Sequence, residues 1–152
     1  MTASLKDENN ELHKLVNINK DACSFYESAA KEVQSAQIKQ SFRKLEELHR
    51  DVMTNIQSRI RANGGKAEAD ETIIGKTHQF WGELMAKVSN DADETLVKHL
   101  EEAEDRCLHS MQDAIKDDDV GPETKLALQN ELQTLRKTHD YMKALKDAMK
   151  AA

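Results

Sequence analysis

Six histidines and 28 acidic residues are spread along this chain of 152 residues, and a few of them recur at spacings that could do chemistry. Glu46 and His49 form a Glu-x-x-His pair, whose ends share one helix face because three residues make nearly a full turn. Two divalent ions held between helices need bridging carboxylates together with imidazoles, so such a pair is part of a metal-binding signature. Glu27, Glu104 and His139 supply further donors of the right type. The metal-ligand set read from the sequence is therefore Glu27, Glu46, His49, Glu104 and His139, suited to iron or manganese and to oxidase or peroxide-scavenging chemistry. One position breaks the pattern: Arg136 stands three residues before His139, where a second Glu-x-x-His would need a carboxylate. A guanidinium stays protonated and cannot ligate a metal; beside Glu27 and Glu104 it would form an internal ion pair. Three readings stay open: a structural Glu/His/Arg layer, a single or weakly held ion, and a working two-metal centre.

Long helices must position these residues. One proline, five glycines and 4% aromatic residues argue against a sandwich or barrel, and a hydrophobic fraction of 38% argues against a disordered chain. Leu12, Leu15, Val16, Ala22, Cys23, Tyr26, Ala30 and Val33 recur at three- and four-residue steps, predicting a helix over 10–34 after a flexible stretch at 1–9. Asn19 falls inside that stripe and reads as a core polar residue that sets register. Ile38, Phe42, Leu45, His49, Val52, Met53, Ile56 and Ile60 make a second helix, ended by Asn63-Gly64-Gly65. A shorter helix over 72–88 carries Trp81, which would dock it onto the others. Leu96, Leu100, Ala103, Cys107, Met111 and Ala114 mark the third long helix; Leu128, Leu132, Leu135, His139 and Met142 mark the last, opened by Pro122.

Connection lengths bear on topology. Tight links near residues 35 and 119 each make an antiparallel hairpin, while the long middle connection has room to run back along the molecule. The expected fold is all-α: a four-helix bundle of two antiparallel hairpins, ferritin-like, with an extra helix in the long crossover, forming a single domain over 10–150. In that topology the five ligand candidates lie within ~9 Å of rise. A simple antiparallel five-helix array is the alternative, in which Glu104 and His139 need not meet Glu27. A net charge of −6, with acidic and basic residues interspersed, excludes nucleic acid and anionic membrane as natural partners. No apolar run approaches the ~18 residues of a membrane span, and Met1 to Glu8 is too polar for a signal peptide. Cys23 and Cys107, without CxxC spacing, read as small core hydrophobes of a reduced, cytoplasmic protein.

The chain also resembles a bacterial family of ferritin-like domains of unknown function, related in architecture to rubrerythrins and bacterioferritins. The resemblance rests on Leu15 to Asp21 and Tyr26 to Ala30, on Phe42 to Leu45 with Asn63-Gly64-Gly65, on His78, Trp81 and Leu84, on Glu101 with Ala103 to Asp105, and on His139-Asp140. It implies a ferritin-like fold over roughly residues 11–146 and no defined activity, and it does not require Glu46 or His49. The leading expectation is a structural or stress-associated binding protein with a buried Glu/His/Arg layer. An iron or manganese protein comes second, and a helical adaptor, homodimeric or paired with another helical protein, comes third.

Overall fold

The structure, a computed structural model, describes residues 4–69 and 92–151. Among the described residues there are four helices and no strand: α1 (Leu5–Glu32), α2 (Ala36–Ala62), α3 (Ala92–Lys116) and α4 (Pro122–Ala151). None of these helices is long and apolar enough to cross a membrane. The expected helix over 72–88, with Trp81 and His78, lies outside the described residues.

Local chemistry sets the helix ends. Ser4 caps α1, its hydroxyl accepting from the Asp7 N–H at 3.1 Å, and Asp7 and Glu8 place negative charge at the positive end of the helix dipole. Residues 5–9, expected to be flexible, are therefore helical. Glu8 also holds this end of the molecule together: its buried carboxylate accepts from the Gly121 N–H at 2.8 Å and from the Asn63 side chain at 2.6 Å. The end of α2 is a Schellman motif, with Gly64 at φ +82°, the Gly64 N–H on Arg61 O and the Gly65 N–H on Ile60 O. At the opposite end, Asp93 accepts from the Gln34 and Ser35 N–H groups at 2.7 and 3.2 Å, tying the α1–α2 link to the start of α3.

Helix α1 packs against α2 and α3, and α4 packs against α3 and α2. The stripes facing inward form two apolar clusters. One gathers Leu12, Val16, Ile56, Met111 and Leu128; the other gathers Phe42, Leu45, Leu96, Leu100 and Met142 around the Tyr26 ring. Each fully buried side chain of this kind contributes ~1.5–3 kcal/mol, so both clusters favour the bundle strongly. At the junction between them four polar residues, Asn19, His49, Glu104 and Thr138, are buried to 1% exposure or less. One comes from each helix, and together they form the site.

Candidate functional site

Each of these residues occupies an inward position on its helix, one turn from an apolar neighbour that packs in a cluster: Leu15 and Ala22 flank Asn19, Leu45 and Val52 flank His49, Leu100 and Cys107 flank Glu104, and Leu135 and Met142 flank Thr138. The apolar stripes thus carry polar side chains into a dry interior, where each must find a partner or cost several kcal/mol, of order 1–3 for a neutral group and more for a charge.

All of them find one. Glu104 Oε1 accepts from the Tyr26 hydroxyl and from His49 Nε2, both at 2.6 Å, and its Oε2 accepts from Thr138 Oγ1 at 2.6 Å. Asn19 donates its amide to Leu15 O at 2.9 Å, which turns its carbonyl oxygen toward His49 Nδ1, also at 2.9 Å. That orientation makes Nδ1 a donor. With Nε2 donating to the carboxylate, both ring nitrogens donate, which is the imidazolium form. The layer is then a buried His49–Glu104 ion pair clasped by Asn19 on one side and by Tyr26 and Thr138 on the other. The Tyr26 ring stacks on the imidazole with centroids 5.8 Å apart.

The groups around Glu104 also set how it and Tyr26 hold their protons. Burial alone would push the Glu104 carboxyl up, but the charge of His49 and hydrogen bonds from His49, Thr138 and Tyr26 outweigh it and hold the carboxyl below its usual value. Tyr26 goes the other way. Burial first, then the Glu104 charge and the hydrogen bond to it, raise the phenol well above its usual value, so it stays a donor. Both thiols are unpaired and buried, and burial pushes Cys23 up to about 11 and Cys107 well up too, so neither is a thiolate nucleophile or soft-metal ligand as it stands.

Of the five residues read as metal ligands, the structure brings together two, His49 and Glu104. Glu27 is about half exposed and pairs with Lys31 at 3.8 Å. Glu46 lies at the edge of the bundle, where its Oε1 accepts from Arg50 at 2.7 Å. His139 turns away from the layer to Asp105 at 2.5 Å and Asp140 at 3.1 Å. Arg136 is exposed, so the internal ion pair expected of it with Glu27 and Glu104 does not form. The α4 residue that meets Glu104 is Thr138, and the α1 residue is Tyr26; sequence reasoning placed neither at the site. Thr138 left a usable signal, since it stands three residues after Leu135 and four before Met142, in phase with the stripe.

Among the described residues, fold and site together define an all-helical bundle whose four helices close on a buried, hydrogen-bonded ion pair. Residues 7–117 match the family described as Domain of unknown function (DUF2383), and the chain belongs to that family. No curated protein and no solved structure matches the chain.

Proposed function

We propose that this protein is a ferritin-like bundle that works as a structural and binding scaffold, its central layer serving to fix helix register. The ferritin-like reading is supported by two short links, at 33–35 and 117–121, and by contacts that bring the starts of α2 and α3 to one end: Asp93 to Ser35, and Arg59 at the end of α2 to Thr124 at the start of α4. That arrangement needs a long connection between α2 and α3, as in a bundle of two antiparallel hairpins.

The observation that carries the functional reading is the closure of the layer. Both Glu104 oxygens and both His49 nitrogens are committed to protein partners, and Thr138 occupies the α4 position from which a two-metal centre would need a carboxylate or imidazole. One carboxylate and one imidazole do not fit two ions, which take four carboxylates and two imidazoles in the ferritin-like di-metal proteins. Buried ionic groups set register in several helical assemblies, and that is the role assigned here.

Elemental analysis tests the reading on protein purified without chelator and again after anaerobic ferrous loading. A metal content that is the same in the parent and in His49→Ala supports the scaffold. Near-stoichiometric iron or manganese that disappears in His49→Ala would make the layer a metal centre and replace this reading with an oxidase or peroxide scavenger.

A further inference from the structure

Beside the closed layer, the α3–α4 seam holds a second set of donors. Glu101 and Asp105 are four residues apart on α3 and so share a face, and His139 of α4 lies opposite them. One ligand atom from each lies within 4.8 Å of the other two. Bonds of ~2.0–2.2 Å from a zinc-sized ion to nitrogen and oxygen let donors roughly 4 Å apart or closer share it, so a small rotation of these side chains suffices. The side chains of Glu101 and His139 are 12% and 17% exposed, and that of Asp105 is 42% exposed. Two donors are therefore bedded in the seam while the third opens to solvent, which leaves room for water to complete a coordination shell.

The imidazole is prepared for this role on its far side. Its Nε2 faces Asp105, while Nδ1 lies 3.1 Å from Asp140 Oδ1. A carboxylate on the second ring nitrogen is the arrangement that fixes tautomer and ring orientation in metal-binding histidines. At present Lys146 supplies the positive charge, with Nζ 3.3 Å from Glu101 Oε2. Its long stem lets the ammonium swing into water when another cation arrives. A different cluster, Glu11, Asp117 and Asp119, has oxygen donors alone and no imidazole.

We propose that Glu101, Asp105 and His139 bind one divalent first-row metal ion, which clamps α3 to α4. Two carboxylates neutralise the ion, and the imidazole favours zinc or ferrous iron over calcium and magnesium. The site is separate from the His49–Glu104 layer and does not depend on the scaffold reading.

The test uses the full chain and zinc as the probe, titrated in a calorimeter and followed by long-range 1H–15N spectra of the histidine rings. The expected result is one ion per chain, a shift of the His139 ring nitrogens, and a melting temperature raised by zinc. Removing a ligand in Asp105→Asn or His139→Ala should weaken binding by about tenfold or more, since even outer-sphere partners of a metal are worth that much. Lys146→Ala, which removes the competing cation, should tighten it, and the exposed His109→Ala should leave it unchanged. Circular dichroism checks that each variant is folded. Absence of saturable binding, or equal affinity in the parent, Asp105→Asn and His139→Ala, would overturn the site.

Discussion

Glu104 and Asp105 are neighbours in sequence, each meets an imidazole at 2.5–2.6 Å, and yet the two pairs do opposite things. Helix geometry separates them by 100° of rotation. Glu104 points into the bundle, where His49, Tyr26 and Thr138 saturate it; Asp105 points along the α3–α4 seam, where its partner His139 touches both protein and solvent. The difference teaches that a carboxylate and a histidine define no function by type alone. What decides is whether their remaining lone pairs and protons are already taken, and how much water can reach them.

Removing one partner from the inner pair should have the largest effect. Glu104→Ala leaves a buried imidazolium without its counter-charge, and the expected loss is about 3–5 kcal/mol by chemical denaturation. Acidification should attack the same group. The Glu104 carboxyl is held below its ordinary value of 4.5, so its contribution is fully present above that pH and is lost as the pH falls through the lower folded value. A stability curve measured from neutral pH downward should show this loss in the parent and lack it in Glu104→Gln.

Tyr26→Phe is a gentler cut, removing one hydrogen bond to the carboxylate at an expected cost of about 1.5–3 kcal/mol. It should also move the acid transition to higher pH. The outer pair should matter least to stability: His139→Ala is expected to cost under about 1 kcal/mol, in keeping with pairs that reach solvent. Its pH dependence has the opposite sense. Partial burial opposes the charge on His139, but hydrogen bonds and charges from Asp140 and Asp105 prevail and raise it above its ordinary 6.5. Its contribution is therefore present below 6.5 and lost as the pH rises through the raised folded value. Monitoring the His139 ring by NMR across that range would show the shift, and Asp105→Asn should reduce it.

Much of the architecture was legible because long apolar stripes at three- and four-residue steps leave few alternatives to helices, and because Gly64 and Pro122 mark their boundaries. Asn19, His49 and Glu104 were also legible, each being polar within such a stripe. The differences were rotational. Stripe spacing admits either three or four residues between core positions, so His139 and Thr138 were equally compatible with Leu135, and a choice one residue off turns a side chain by 100°. Glu27 lies outside the layer by the same margin, standing one residue past Tyr26. Glu46 was lost to Arg50, a competing partner one turn along its own helix. The Tyr26 hydroxyl was hidden because a tyrosine in an apolar stripe looks like packing until its oxygen is located. Glu8 was missed for another reason: its partners, Asn63 and Gly121, are far away in sequence and meet it only after folding.

The central claim is that His49 and Glu104 act as one closed unit, and a double-mutant cycle tests it most directly. His49→Leu, Glu104→Leu and the double variant would be unfolded in denaturant under identical conditions. The account predicts that each single change is strongly destabilising and that the double change costs far less than their sum, because replacing both buried charges together leaves neither one unpaired. Additive losses would contradict it, for two residues that contribute independently are not a pair.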